Sequence, residues 1–361
     1  MNDKMCYIGV MSGTSLDGVD VVLCAVGADG IELAASLSFP FDEPLRADVL
    51  RVIGGTTTLK EVGEIDRRLG EMFAEAVAAL IEEHNLDTGR IAAIGLHGQT
   101  LWHQPEGTIP FTMQLGDPNI VAARTGIKTV ADFRRKDMAF GGQGAPFAPA
   151  FHRFLFEKLE GVTAVVNIGG MANITVIGSD LLGYDTGPGN VLMDDWCREK
   201  FNVPYDRDGA IAQRGEADER TLEAMLADPY FPRPAPKSTG RERFNRAWAA
   251  PFLKPGMRND AVLATLTELT ARSIAGEALK YNPQRVLLCG GGAKNVYLRG
   301  RIASILTGVE VVRTDEYGIP GDWMEAMAFA WLAFKRIGNE TVDLKSVTGA
   351  SQNTILGGVY A

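Results

Sequence analysis

The sequence has little of what metal centres, disulfide frameworks and membrane spans require. Its 361 residues include four cysteines and four histidines, with no C-x-x-C pair and no histidine at ligand spacing. No apolar run approaches the roughly 18 residues of a membrane span. The first residues, Met1-Asn2-Asp3-Lys4, lack a signal-peptide pattern. We therefore expect a cytoplasmic protein with no zinc site, no disulfides and no membrane partner.

Net positive charge is missing as well. The formal net charge of -9 disfavours a general nucleic-acid surface, because such surfaces use basic residues to replace phosphate counterions. Any anionic ligand must therefore be met by local cations, and the conspicuous cluster is Arg134-Arg135-Lys136. A hydrophobic fraction of 46% and a charged fraction of 22% indicate an ordinary globular protein, long enough for two cores.

A polar turn bracketed by glycines lies between two apolar runs near the start of the chain. Residues 7–10 and 19–26 predict the strands of a hairpin, and Gly13 and Gly18 allow the backbone to approach an anion. The turn also carries hydroxyl donors, namely Ser12, Thr14 and Ser15. A Walker loop would need a lysine and a following helix, whereas this turn has no lysine and leads into a strand. We predict a phosphate-binding hairpin; the alternative is an ordinary hairpin with a polar tip.

The second half of the chain repeats the order of elements found in the first half. Residues 163–177 form a second apolar, glycine, apolar unit, and each half continues with a periodic helix, two strands and a closing helix. The matching segments are 61–84 with 259–281, 91–99 with 285–295 as a short strand and its loop, 128–133 with 309–315, and 148–159 with 323–336. This order predicts two domains of like topology, each a mixed sheet covered by helices.

The repeat also predicts where one domain ends and the next begins. We place the first domain at residues 1–135, with 345–361 as a candidate to pack back on it. The second domain comprises residues 136–344, with an insertion at about 200–258.

Two phosphate hairpins and a strand ending in Gly290-Gly291-Gly292 resemble the sugar kinase, actin and Hsp70 superfamily. Within it, four segments are similar to the 1,6-anhydro-N-acetylmuramic acid kinase family: residues 9–20, 95–100, 132–146 and 185–190. The resemblance runs to residues 348–351 and so covers nearly the whole chain. It implies an α/β fold of two duplicated ribonuclease-H-like domains with an ATP cleft between them, and we expect a homodimer.

The resemblance also implies a reaction of peptidoglycan recycling. Such a kinase uses ATP, Mg²⁺ and water to open the 1,6-anhydro ring and phosphorylate O6, giving N-acetylmuramic acid 6-phosphate and ADP. One alternative is a superfamily kinase that phosphorylates a free hydroxyl of another sugar or a carboxylate. Another is an ATP-driven binding protein like actin or Hsp70, which the polar cluster around His97 and Asp132 disfavours.

Residues of both hairpins and of the glycine loop are the ATP-binding candidates. They are Gly13, Thr14, Ser15, Leu16, Asp17, Gly18, Val19, Asp20, Gly169, Gly170, Gly290, Gly291 and Gly292. Asp17 is also the candidate Mg²⁺ ligand, while Asp20 is expected to orient the neighbouring backbone. The alternatives are a solvated turn for the aspartates and a simple strand-to-helix connection for the glycine loop.

Asp185 is the candidate catalytic base. The C6 oxygen of an anhydro sugar bridges to C1, so water must attack C1 as O6 is released toward the γ-phosphoryl group. A carboxylate that takes the proton from this water is required. Asp185 precedes Thr186-Gly187-Pro188-Gly189-Asn190, where glycines allow close approach and a following helix would present its amides. The residues alone also allow Asp185 to be that helix's cap, and the resemblance favours the base.

Four further residues are expected to contact the sugar: His97, Gln99, Arg134 and Glu325. A guanidinium can grip the lactyl carboxylate through two parallel hydrogen bonds, which favours Arg134. The alternatives are a structural histidine at 97, a solvated charge at 134 and a helix-dipole role for Glu325. Residues 237–242 are left with three possible roles: a surface loop, a dimer contact or a phosphate clamp.

Overall fold

A computed structural model describes residues 5–13 and 16–361, so the predicted ATP-binding residues Thr14 and Ser15 lie outside the described part. Two compact units divide the chain, the first running up to Leu155 and resuming at Trp323–Ala361, the second comprising Phe156–Asp322. Across the described residues, every helix is too short or too polar to cross a membrane.

Three groups of hydrogen-bonded strands account for the sheets. In chain order the strands are β1 Cys6–Ser12, β2 Gly18–Gly27, β3 Gly30–Pro40, β4 Ile91–Leu96, β5 Gln99–Gln104, β6 Phe111–Leu115, β7 Thr129–Ala131, β8 Thr163–Ile168, β9 Met171–Ile177, β10 Leu181–Pro188, β11 Arg285–Cys289, β12 Glu310–Arg313 and β13 Gly358–Tyr360. The first unit holds the sheet β13-β7-β4-β1-β2-β3 and the separate pair β5-β6, and the second unit holds β10-β9-β8-β11-β12.

The predicted duplication is confirmed by these strand orders. In each unit the first three strands form an antiparallel meander, as β1-β2-β3 and as β8-β9-β10. The fourth strand, β4 or β11, then pairs parallel to the first, and the fifth, β7 or β12, pairs parallel to the fourth. Both units therefore have the mixed sheet of a ribonuclease-H-like domain, and both predicted hairpins occupy the same place in it.

Helices cover these sheets. In chain order they are α1 Glu43–Ile53, α2 Leu59–Glu83, α3 Pro118–Thr125, α4 Arg134–Ala139, α5 Ala148–Phe156, α6 Val191–Phe201, α7 Glu219–Leu226, α8 Arg246–Ala249, α9 Asn259–Leu279, α10 Val296–Ile305, α11 Met324–Ile337 and α12 Lys345–Thr348. Helix α2 begins with a capping box in which Thr58 and Glu61 satisfy each other's backbone N–H groups. Its apolar stripe, including Leu69, Phe73 and Val77, is fully buried in the core of the first unit.

Helix α11 packs directly on the backbones of β1 and β4. A Cβ added at Gly9 would lie 1.9 Å from the carbonyl oxygen of Ala326, and one at Gly95 would lie 2.0 Å from that of Phe329. Because the opposing atoms belong to the helix backbone, any side chain at these glycines would push α11 away from the sheet. The sequence pattern had assigned this helix to the second domain; it lies in the first unit, and this close backbone contact is the physical reason.

The boundaries of the units also depart from the predicted ones. Residues 136–155 and the chain from Trp323 onward belong to the first unit instead of the second. The C-terminal strand β13 pairs antiparallel with β7, so the end of the chain packs on the first sheet.

The insertion at about 200–258 belongs to the second unit. Leu222, Met225 and Ala249 enter the same buried apolar cluster as α9 and β8. Tyr230 and Phe244 are also almost fully buried and meet edge to face, with ring centroids 5.3 Å apart. The insertion is thus anchored by its own aromatic side chains, which fixes the path of residues 237–242.

Candidate functional site

The first hairpin turn connects β1 to β2, where Ser12 pairs with Val19. Leu16 adopts a left-handed backbone conformation with φ of 56°, and its N–H donates to the carbonyl oxygen of Gly13 at 3.3 Å. The side chains of Leu16 and Val19 are fully buried in the core. Of these two predicted ATP residues, only the backbone can therefore face a phosphate, whereas the Asp17 side chain is exposed.

Ser12 and Gln99 form a buried pair beside this turn. The Ser12 hydroxyl donates to Gln99 Oε1 at 2.7 Å, and Gln99 Nε2 donates to the carbonyl oxygen of Thr100 at 3.3 Å. The Ser12 hydroxyl expected to face phosphate is thus already used by Gln99. A sugar contact through the Gln99 amide would require these bonds to break, since the side chain is fully buried.

His97 connects the hairpin to Arg134. Its Nδ1 lies 3.2 Å from the carbonyl oxygen of Ser12, and its Nε2 lies 2.9 Å from Nη2 of Arg134. Burial, with the charge of Arg134 adding to it, lowers the pKa of His97 to about 3, so the ring is neutral. A neutral ring that donates from Nδ1 accepts at Nε2, which matches both partners. His97 therefore holds Arg134 in place.

Arg134 begins α4 and interacts with the acidic residue Glu325. Burial lowers its pKa to about 10, and Glu325 acts in the opposite direction. Its Nη1 donates to the carbonyl oxygen of Gly144 at 3.3 Å, and its guanidinium carbon lies 5.4 Å from the centroid of the Phe147 ring.

Glu325, near the start of α11, is exposed to solvent. Removal of hydration by the surrounding protein raises its pKa, Asp20 raises it further, and Arg134 lowers it. The fold thus brings Asp20, Arg134 and Glu325 into one electrostatic group, although more than 100 residues separate each from the next in the sequence. Asp20 was an ATP-binding candidate because of its place in the hairpin, whereas no sequence pattern indicated that it lies close to Glu325.

A cavity of about 330 Å³ in the first unit is lined by His97, Gly98, Asp132, Arg135 and other residues. Arg134, Gln99 and Glu325 do not line it. Asp132 sits in a left-handed conformation with φ of 61°, and its carboxylate accepts from Nε of Arg135 at 2.7 Å. The four predicted sugar residues are therefore in one unit, but only His97 faces this cavity.

Asp185 lies inside β10 at a break in its pairing with β9. Its Oδ2 accepts from the backbone N–H of Thr239 at 2.9 Å, and its own N–H donates to the carbonyl oxygen of Lys237 at 3.0 Å. Burial raises the pKa of Asp185 to about 6, with the Thr239 bond opposing this and Glu242 adding to it. A half-buried carboxylate with a pKa near 6 is suited to general base catalysis near neutral pH.

Asp185 does not cap the helix that follows it. The residue at the cap of α6 is Asn190, which makes no side-chain capping bond. The helix-cap alternative for Asp185 is therefore wrong, because the bulged strand turns its carboxylate toward the insertion.

The second hairpin turn, at Gly169 and Gly170, is tied to the start of α6. The N–H of Asn190 donates to the carbonyl oxygen of Gly169 at 2.8 Å, and the N–H of Gly189 and of Val191 donate to that of Gly170 at 2.9 and 3.1 Å. The N–H groups of Asn190 and Val191 are therefore used by the turn itself and are not free for a ligand. Side-chain cations must then provide more of the contacts to any anion that binds at this turn.

The glycine loop after β11 borders a cavity of about 560 Å³, within the usual size range for small-molecule sites. Gly291 and Gly292 line this cavity together with Asn190, Asp194, Tyr205 and Lys294. Gly290 has φ of 78°, and a Cβ there would lie 2.2 Å from Asn167 Oδ1. Gly290 is therefore needed for packing against β8, whereas Gly291 leaves the cavity open.

No cluster of three or more metal-binding side chains occurs among residues 5–13 and 16–361. Mg²⁺ commonly uses one or two carboxylates with substrate phosphates and water, so the exposed Asp17 fits a metal that arrives with a nucleotide.

Lys237 is a functional candidate that the sequence left unassigned. Its side chain is completely buried, and its Nζ lies 2.7 Å from Glu277 Oε1 and 2.8 Å from the carbonyl oxygen of Phe231. Tyr230 donates its hydroxyl to the carbonyl oxygen of Asp185 at 2.8 Å. The surface-loop and dimer-contact roles considered for residues 237–242 therefore do not apply to Lys237, which fixes the segment that holds Asp185.

Comparison with known proteins gives a consistent result. The family model described as anhydro-N-acetylmuramic acid kinase matches residues 5–361. A protein of that name from Sulfurovum sp. (strain NBC37-1) is 56% identical over 361 residues, covering 99% of both chains. Another from Sulfurimonas denitrificans is 51% identical, covering 98% of this chain and 99% of its own.

Similarity to solved structures is far weaker. Component A of (R)-2-hydroxyglutaryl-CoA dehydratase from Acidaminococcus fermentans is 12% identical and covers 92% of this chain and 99% of its own, with a TM-score of 0.49. A likeness this distant informs neither the fold nor the activity.

Proposed function

The chain belongs to the anhydro-N-acetylmuramic acid kinase family, and we propose that Asp185 is the base that activates water in its reaction. The enzyme is a phosphotransferase that opens the 1,6-anhydro ring of its amino sugar and phosphorylates O6 at the expense of ATP, in peptidoglycan recycling. The observation that supports the role of Asp185 is its geometry: a half-buried carboxylate, held by the Thr239 N–H, with a pKa raised to about 6.

In the proposed step, Asp185 takes a proton from water as the water oxygen bonds to C1 and the C1–O6 bond breaks. The released O6 bonds to the γ-phosphorus, and the oxygen that bridges the β- and γ-phosphorus atoms leaves with ADP. One water and one ATP are consumed for each sugar. A base contributes about 10²–10⁴-fold to such a step.

We propose that the nucleotide phosphates bind at the hairpin turns and the adenosine at the glycine loop. The cavity beside Gly291 and Gly292 supports this assignment by its size and by the open face at Gly291. Mg²⁺, which would be held by Asp17 and the phosphates, neutralises charge on the transferring group when it is bound.

Arg134 is proposed to bind the lactyl carboxylate, with His97 as its positioning residue. The guanidinium has five N–H donors, of which His97 and the Gly144 carbonyl engage one each. Its charge is also balanced by the neighbouring Glu325. A carboxylate ligand can thus bind Arg134 without breaking the bonds that orient it.

Arg134→Ala is expected to raise the KM for the anhydro sugar about ten- to a hundredfold, because one charge-assisted contact is lost. An analogue without the lactyl group should bind the variant and the wild type alike. Initial rates with both sugars give the comparison, and Arg124→Ala, which removes an exposed charge paired with Glu71 outside the cavity, is the control. An equal loss on both sugars would show that Arg134 does not contact the lactyl group.

A substrate panel tests the proposed function. ATP consumption should depend on the anhydro sugar and be absent with ordinary hexoses that carry a free C6 hydroxyl. Consumption with a hexose and none with the anhydro sugar would favour the alternative kinase reaction.

The homodimer and the cytoplasmic location are proposals that rest on the sequence alone; light scattering of the purified protein tests the first.

A further inference from the structure

We propose that Arg241 supplies the positive charge at the second hairpin turn and contacts the nucleotide phosphates there. This inference rests on the proposed binding of phosphate at Gly169 and Gly170. It would give the phosphate-clamp role considered for residues 237–242 to one side chain. It would also explain how a phosphate hairpin without a lysine in its turn meets an anion.

The position of the guanidinium is the first observation. A Cβ added at Gly170 would lie 3.3 Å from Nη2, 3.6 Å from Nε and 3.8 Å from Cζ of Arg241. Three atoms of the guanidinium at nearly equal distances place it against the open face of Gly170. Because Gly170 has no side chain, the guanidinium can lie this close to the turn.

The hydrogen bonding of the turn is the second observation. The N–H groups of Gly189, Asn190 and Val191 are used by the carbonyl oxygens of Gly169 and Gly170, and the Gly169 N–H donates to the Met171 carbonyl at 3.1 Å. These four backbone donors are thus not free to bind phosphate. A planar guanidinium offers several donors in a geometry that matches phosphate oxygens.

The charge of Arg241 is available for a ligand. Arg241 forms no ion pair within 4.0 Å in the part of the chain that the structure describes, although its neighbours Arg243 and Arg246 pair with Asp228 and Glu199. Its charge acts on Asp194, whose pKa burial raises to about 6, with Arg198 and Arg241 acting in the opposite direction. The exposed guanidinium therefore lies beside the turn without a paired carboxylate among the described residues.

The backbone that carries Arg241 is held in place. Lys237 is anchored by Glu277, and Thr239 bonds to Asp185. On the other side, Asn245 Nδ2 donates to the carbonyl oxygen of Arg241 at 3.0 Å. The same segment thus positions the proposed base and places a cation at the proposed phosphate site.

The test compares the affinities of ATP, ADP and adenosine by calorimetry, with the wild type, Arg241→Gln and Arg246→Gln. Arg246 is an exposed arginine of the same insertion, so its variant matches the change in charge. We expect Arg241→Gln to weaken ATP and ADP about ten- to a hundredfold and to leave adenosine unchanged. Arg241→Lys should recover part of the loss, and Arg246→Gln should behave as wild type.

The outcomes separate this inference from the proposed function. A wild type that binds ADP no better than adenosine would overturn the phosphate site itself. A wild type that prefers ADP, with Arg241→Gln showing the same preference, would overturn only the role of Arg241. Equal weakening of adenosine and ADP in Arg241→Gln would also overturn it, because the side chain would then act on the fold of the site.

Discussion

Asp185→Asn is expected to abolish turnover while leaving nucleotide binding near normal. Asparagine is close in size and can still accept from the Thr239 N–H, which lies 2.9 Å from Oδ2, but it cannot take a proton from water. The rate should fall by at least about 10²–10⁴-fold. The matched control is Asp180→Asn, which changes an exposed aspartate just before the same strand and should keep full activity.

The same substitution has a predicted signature in stability. The folded-state pKa of Asp185, about 6, is raised above its ordinary value of 3.8, so the folded protein holds this proton more tightly than the unfolded chain does. Ionisation of Asp185 therefore lowers stability as the pH rises through this interval. Asp185→Asn should have a higher Tm than wild type at pH 8, and the difference should shrink below pH about 6. A variant that retains substantial activity, or that is less stable at pH 8, would contradict the assignment.

Lys237→Met is expected to have the largest effect on stability. The substitution removes the completely buried cation that pairs with Glu277, and breaking a buried pair in this way costs about 3–5 kcal/mol. Denaturant unfolding monitored by fluorescence would measure the loss. Adding Glu277→Gln to Lys237→Met should restore part of the stability, because the buried negative charge that has lost its buried partner is removed.

The same variant should change the pH dependence of catalysis. The Thr239 N–H lowers the pKa of Asp185, so a loosened segment should move the acid limb of kcat/KM to higher pH. Lys280→Met is the control, since Lys280 also bonds Glu277, at 2.6 Å, but is half exposed. It should cost less than about 1 kcal/mol and leave the acid limb in place. A shifted acid limb in both variants, or in neither, would show that Lys237 does not position Asp185.

Local patterns in the sequence predicted most of the fold. Alternating β-branched residues around glycine turns identified both hairpins, and apolar spacing of three or four identified α2 and α9 within two residues at their starts and ends. These elements bury one continuous stripe or face, so their pattern is visible without tertiary information. Repetition of the same order of elements was then sufficient to predict two units of like topology.

Long-range packing explains what the sequence could not predict. Helix α11 is apolar on all sides, so its pattern does not say which sheet it covers; the backbone contact at Gly9 and Gly95 decides this. The same holds for the candidate site. Asp185 and Arg134 were identified from local motifs, whereas the roles of Lys237 and Arg241 depend on contacts with Glu277 and Gly170, which are far away in the sequence.

The sequence also could not predict which hydrogen-bond partners the buried polar side chains have. Ser12 and His97 were expected to face ligands because of their residue types and their positions at strand ends. Each makes a hydrogen bond inside the first unit, Ser12 with Gln99 and His97 with Arg134, and His97 also lines the cavity of that unit. A buried polar side chain must find such partners, but its sequence neighbours do not reveal which ones.

The central claim is that water, and not a sugar hydroxyl, is the group activated by Asp185. The most direct measurement is mass spectrometry of the phosphorylated product formed in oxygen-18 water, with a control in which labelled water is added only after the reaction has ended. We predict one solvent oxygen at C1 and none in the phosphate ester for each ADP formed. A product without solvent oxygen at C1, formed at the same rate as ADP, would contradict the account.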